Sequence, residues 1–439
     1  MARTSIVTAA VILLMISLVH AQPGSLSVTK MGNGLTVLLL EDHAAELVAV
    51  GVWVRAGSAT ETEELNGVSH FIEHLAFGST RKHKAGEMDV EMESIGATLD
   101  AHTTRDYASY TATVSSRYLA KALELLADAV TGPLFNPEDV ESEKRVILDE
   151  ITKKLTNPIE VCKGVIGNEL YGSHPYALPI EGMPKSVRRI TSEDIRSHFK
   201  RYYTADNMAV VLVGDFDPQT AISAVGKSFQ AVPKSSTEDK VAPEEIKPLE
   251  KQIIKSYKIP VKLNYLAIGF LGPPATDTRN VCAIDVLLTH LGCGYRSWME
   301  EELKQKMGLA LSVEAEYLTH RQSAAITLIA TSPDSDLTKL RDTIMAKIAE
   351  LRKSGMSPET LVSAKRSLAG DYAFQNETYA GRANSLGFYW AISDPEFGMR
   401  YLQCTDSVTN DEVIHAAQKY LDLDKAVIIT LGPNQENKE

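Results

Sequence analysis

Cysteine is scarce in this chain, with four in 439 residues, at Cys162, Cys282, Cys293 and Cys404. They lie far apart and show no metal-ligand spacing, which excludes a disulfide-stapled miniature scaffold and a cysteine-built zinc module. An exported chain can pair such residues, but one this large does not depend on it, and four buried thiols are the expectation. Basic residues are also short: 45 Lys and Arg stand against 57 Asp and Glu, a net charge of −12. A nucleic-acid binder needs a basic face, and nothing in this balance supplies one. Long apolar runs are missing except at the start, where one extends from Ile6 to Val19. It is shorter than the ~20 residues a spanning helix needs. A single arginine precedes it and Val19-His20-Ala21 follows it, the layout of a secretory signal cut after Ala21. The expected location is secreted or periplasmic, with no membrane span in the mature chain.

What the chain does have is bulk. It is 44% hydrophobic, enough for large cores, and its length suits two or three domains. Residues 232–250, "VPKSSTEDKVAPEEIKPLE", carry three prolines, many charges and few large apolar side chains, as a linker does. The stretches on either side repeat each other. "TSEDIRSHFKRYYTADNMAVVLVG" from Thr191 matches "TNDEVIHAAQKYLDLDKAVIITLG" from Thr409 in length and pattern. Each opens with a capping box, Thr191 with Asp194 or Thr409 with Glu412, and ends in a β-branched strand before glycine. "PEDVESEKR" from Pro137 pairs with "PETLVSAKR" from Pro358, five of nine positions being identical, and "HLAFG" from His74 pairs with "HLGCG" from His290. The three pairs keep the same order, so the chain is a doubled α+β unit. Two sheet-plus-helix domains are expected, at 24–231 and 251–434. Each would be a sheet with helices on one face, since strands such as "LTVLLLE" and "ELVAVGVWV" precede long helices.

The first half carries a chemical pattern in "HFIEH", residues 70–74. On a helix from Asn66 to Phe77, Val68, Phe71, Ile72, Leu75 and Ala76 share one side. His70, Glu73 and His74 share the other, within an arc of about 100°. Two imidazoles one turn apart with a carboxylate beside them suit a catalytic zinc. Such a zinc takes three protein ligands, so a third is needed from elsewhere. The segment "NPEDVESEKRVILDEITKKL" reads as a helix with Val140, Ile147, Leu148, Ile151 and Leu155 as its core stripe. Glu143 and Glu150 point nearly the same way at the edge of that stripe, where a carboxylate is costly unless paired or metal-bound. Glu150 is the candidate ligand and Glu143 a supporting acid. In the repeat these positions become Val286, Thr289, Ala364 and Asp371, and only His74 keeps a counterpart, His290. A ligand set that the second half discards serves chemistry rather than folding.

The spacing His70-x-x-Glu73-His74, with a glutamate 76 residues after the second histidine, resembles the inverzincin peptidases. More closely, the chain resembles the M16 family of pitrilysin, insulysin and the mitochondrial processing peptidase β subunit, in its short M16B form. "AGSATETEELNGVSH", "HPYALPIEGMP", "DNMAVVLVGDFDP" and "GLALSV" add to the likeness, which spans about residues 25 to 434. The resemblance implies peptide-bond hydrolysis, with Zn²⁺ on His70, His74 and Glu150 and with Glu73 as general base. It also implies a substrate laid as an added strand along the segment holding Asp100 and Ala101, where Asp replaces the usual Asn. Phe77 would border the pocket for the residue after the cleaved bond, or else belong to the core.

Single-chain members of the family carry an arginine and, seven residues later, a tyrosine that help to bind substrate opposite the zinc. This chain has Lys304 and Leu311 there; lysine lacks the planar guanidinium fork, and leucine has no hydroxyl. Some short members are heterodimers whose metal and Arg/Tyr pair sit on different subunits. The expectation is therefore a metal-bearing subunit closing a chamber with an Arg/Tyr-bearing partner, or a homodimer that tolerates the exchange. The family also holds non-catalytic scaffold members, which usually have a broken metal motif.

Overall fold

The computed structural model describes residues 24–235 and 245–434. Residues 1–21, expected from the sequence to be a secretory signal, and the middle of the 232–250 linker lie outside the described residues. Of the linker's described ends, Val232 and Ile246 are buried in the cores on either side. No helix among the described residues is long and apolar enough to cross a membrane.

Two sheets are built from successive stretches of chain. The first contains β1 (Ser27–Lys30), β2 (Thr36–Glu41), β3 (Leu47–Val54), β4 (Thr98–Thr103), β5 (Ala108–Ser115) and β6 (Met208–Gly214), in the order β1-β2-β6-β3-β5-β4. The second contains β7 (Ile253–Ile259), β8 (Asn264–Leu271), β9 (Ser312–Tyr317), β10 (Ala325–Ser332) and β11 (Val427–Pro433), in the order β7-β11-β8-β10-β9. Without β1 the two orders superimpose. Each has one parallel pair, β2 with β6 and β7 with β11, among antiparallel ones. The repeat read from the sequence is thus a repeat of topology. Both capping boxes are formed, at the starts of the helices Ser192–Tyr202 and Asn410–Tyr420. "PEDVESEKR" and "PETLVSAKR" each begin a long helix, Pro137–Leu155 and Pro358–Gln375, with proline in the first turn, where its missing N–H costs nothing.

Helices of its own half cover one face of each sheet, as expected; the other face is covered from the opposite half. On β6, every residue of Met208–Gly214 is buried. Val210 and Leu212 face the first half's helices, while Ala209, Val211 and Val213 meet Ala383, Leu386 and Trp390 of the helix Tyr379–Ile392. Reciprocally, Ala267, Ile329, Val427 and Ile429 of the second sheet pack on Cys162, Ile166 and Leu170 of the helix Pro158–Tyr171. Two buried faces explain why these strands read as unbroken apolar runs instead of alternating ones. The crossed helix lies close: a Cβ on Gly387 would stand 2.1 Å from the Trp53 ring. Each large apolar side chain buried there contributes about 1.5–3 kcal/mol, so the halves are welded together.

Two expectations are corrected. Cys282 and Cys404 form a disulfide with Cα atoms 6.3 Å apart, Cys162 is a buried thiol and Cys293 an exposed one. Residues 122 apart in sequence meet because the Thr278–Leu291 and Pro395–Asp406 helices pack against each other, which spacing alone does not reveal. In the glutamate helix Pro137–Leu155, Val140, Ile147 and Ile151 are buried and Leu148 half-buried, but Leu155 is 63% exposed. It is the helix's last residue, where the final turn runs past the core.

Candidate metal centre

The histidine helix spans Val68–Ala76, and Val68, Phe71, Ile72, Leu75 and Ala76 are all buried beneath it. Its start is held by a residue seven positions before it. Glu61, itself buried, accepts from Ser69 N at 2.8 Å, from Gly67 N at 2.7 Å and from Asn66 Nδ2 at 2.9 Å. A carboxylate there meets both the free N–H groups and the positive end of the helix dipole. Burial pushes its pKa up, and these hydrogen bonds oppose that rise. No cue in the sequence points to this cap, because it does not follow capping-box spacing. Glu61→Ala leaves three buried donors unpaired at about 1–3 kcal/mol each before relaxation. A loss of about 2–4 kcal/mol is expected by chemical denaturation; an unchanged midpoint refutes the anchoring role.

With the apolar side fixed, the other side presents His70 and His74, ring centroids 4.5 Å apart. The glutamate helix brings Glu150 to them: its Oε2 lies 3.5 Å from His74 Nε2 and 3.9 Å from His70 Nε2. One donor atom from each of the three lies within 4.8 Å of the others, the one such group among the described residues. Two imidazole nitrogens and a carboxylate oxygen thus converge from two helices. The donors fit Zn²⁺, which takes nitrogen and oxygen ligands. The histidines are 12% and 17% exposed and Glu150 40% exposed, so the site opens on the glutamate side. Burial, followed by the neighbouring His74, lowers the His70 pKa to about 4, which keeps one ring nitrogen's lone pair available at neutral pH.

Glu143 stands behind the three donors. Its Oε2 lies 3.1 Å from His74 Nδ1, the arrangement in which a carboxylate fixes a ligating histidine's tautomer. Glu73 projects beside the three donors, and burial raises its pKa, partly offset by nearby Thr103, His74 and His102. Its charge is felt by Tyr110 and Tyr203, whose hydroxyls bond to each other at 2.6 Å.

The substrate candidates separate by face. Asp100 and Ala101 lie on β4, the sheet's edge strand beside β5. Ala101 packs toward the core, whereas Asp100 lines a cavity of about 740 Å³ bounded by both halves. His102 from the same strand faces it, with Thr289 and Asp371 among the second half's contributions. Phe77 packs on the core, its ring 5.9 Å from Tyr110. In the second half Lys304 is tied to Glu300 at 2.7 Å, and Leu311 is 51% exposed.

The chain is thus a duplicated sheet-plus-helix fold with the converging donor set kept in one copy. The family model for insulinase (peptidase family M16) matches residues 36–183, and that for the peptidase M16 inactive domain matches 189–368. The chain belongs to peptidase family M16. It is 27% identical over 415 residues to an uncharacterized zinc protease of Rickettsia felis, covering 93% of this chain and 98% of that one. A probable mitochondrial-processing peptidase subunit beta of Arabidopsis thaliana is 26% identical over 93% of this chain and 78% of its own. Subunit 1 of the bovine (Bos taurus) cytochrome b-c1 complex is 30% identical over 61% of this chain and 56% of its own. In fold, the crystal structure of a protease from Helicobacter pylori superimposes with a TM-score of 0.88 at 24% identity, over 93% of this chain and 100% of that one.

Proposed function

We propose that this protein is an exported zinc endopeptidase that hydrolyses unfolded peptides. The observation that carries the reading is the convergence of His70, His74 and Glu150, with Glu73 beside them and Glu143 behind. Zn²⁺, when bound there, supplies Lewis acidity toward a carbonyl oxygen and water of lowered pKa. Glu73 takes the proton from the attacking water and returns it to the leaving amine. Glu143 holds His74 by Nδ1, so its Nε2 stays aimed at the ligand position. The free edge of β4 offers main-chain groups for a peptide added as a strand, with Asp100 facing the inter-half cavity.

The chain acts as the metal-bearing subunit of a heterodimer, because the second half offers Lys304 and Leu311 where single-chain members carry the arginine and tyrosine. A homodimer that tolerates the exchange is the alternative assembly. The b-c1 subunit among the relatives raises a second reading, a scaffold without catalysis. The intact set of His70, Glu73, His74 and Glu150 opposes it, since a scaffold has no use for a water-activating acid. The test is zinc analysis of the purified chain, then digestion of an unfolded-peptide library with and without chelator, alone and with candidate partner subunits. Chelator-sensitive cleavage that appears on pairing, with a matching shift in size exclusion, is expected. Full activity from an isolated monomer defeats the paired arrangement; no zinc and no cleavage in any combination defeats the enzyme.

A further inference from the structure

Nδ1 of His70 is buried without a hydrogen-bond partner, and so is Oε2 of Glu181. Glu181 belongs to a segment that runs against the start of the histidine helix. There, Asn66 Nδ2 donates to Pro179 O at 2.9 Å and Ser186 Oγ donates to Asn66 O at 2.7 Å. Gly67, at positive φ, leaves so little room that a Cβ on it would stand 2.9 Å from Glu181 O. His70 lies three residues further along the helix that begins there. The other carboxylate oxygen of Glu181 accepts from Lys154 Nζ at 2.6 Å, and Lys154 stands one turn beyond Glu150. Glu181 is thus anchored to both helices of the donor set, within a turn of a ligand on each.

Its electrostatics agree with that placement. Burial raises the Glu181 pKa, and the Lys154 ammonium more than offsets that rise. His70 feels the Glu181 charge in turn. The need for an acceptor is chemical. Nε2 of His70 faces Glu150, so a neutral ring can ligate through it only with its proton on Nδ1. A buried N–H without an acceptor costs about 1–3 kcal/mol. His74 meets the same requirement through Glu143; His70 has no such bond.

We propose that Glu181, braced by Lys154, is the positioning residue for His70. Its Oε2 takes the Nδ1–H, directly or through one buried water, and so fixes the tautomer that leaves Nε2 for the metal. This rests on the zinc reading above.

The test is zinc affinity by competition with a chromogenic chelator, in the full chain and in Glu181→Gln, Glu181→Leu and the double variant Glu181→Leu/Lys154→Met. Glu181→Leu is expected to bind zinc about 10–100-fold more weakly, with shifted absorption bands in the cobalt-loaded protein. Glu181→Gln, whose amide oxygen still accepts, falls between it and the wild type. The double variant removes the unpaired lysine charge without restoring an acceptor, and stays as weak as Glu181→Leu. Recovery in the double variant overturns the proposal, because the loss was then only repulsion by Lys154. Wild-type affinity in Glu181→Leu overturns it too, and Glu181→Ala, which likewise lacks an acceptor, decides if the leucine variant does not fold. A wild-type chain that binds no zinc refutes the metal reading instead.

Discussion

Exchange of Glu73 for glutamine is expected to lower peptide turnover by about 10²–10⁴-fold, the usual contribution of a positioned general base, while zinc stays bound. Glutamine keeps the shape and loses the proton-accepting charge. Glu73 is not one of the three converging donors, so zinc content and folding should both survive the exchange. The helix supports this expectation, because the side that docks it is made of Val68, Phe71, Ile72, Leu75 and Ala76 and does not involve Glu73. Turnover and metal content measured on one preparation give the answer. Unchanged turnover in the variant would mean that another group moves the proton, and loss of zinc would mean that Glu73 is a ligand.

The second large effect concerns the metal itself. Glu150→Ala removes one of the three converging donors and is expected to weaken zinc by more than the roughly 100-fold that outer partners command. Activity should disappear with the metal, both in this variant and in the chelated wild type. The fold should not. The second half builds the same strand order with Val286, Thr289 and Asp371 at the corresponding positions, so its architecture needs no ion. Thermal unfolding separates the cases. Zinc at about 1,000 times its Kd should stabilise the wild type by about 4 kcal/mol and leave Glu150→Ala unmoved. Collapse of the chelated wild type would show the metal to be structural, as in zinc fingers.

The two-faced pattern of the histidine helix was legible in the chain because it repeats with the period of a helix. His70, Glu73 and His74 fall on one face and the five docking residues on the other, and the structure keeps both faces. The duplication was legible too, because the capping boxes at Thr191 and Thr409 and the prolines at 137 and 358 mark equivalent helix starts. Glu150 could be named from the cost of leaving a carboxylate at the edge of a buried stripe. Each of these readings needs only neighbours within a few turns.

Contacts between distant segments were beyond that reach. Glu61 caps the histidine helix from outside any capping motif, and Glu181, paired with Lys154, belongs to a segment more than a hundred residues further along the chain. The pairing of Cys282 with Cys404, the exposure of Leu155 and the crossing of a helix from each half onto the other's sheet are of the same kind. The sequence by itself determined which residues share a face, since the helical and strand periods set that along the backbone. Only the tertiary structure decided which faces meet, because that depends on how two sheets and their crossed helices fill one volume.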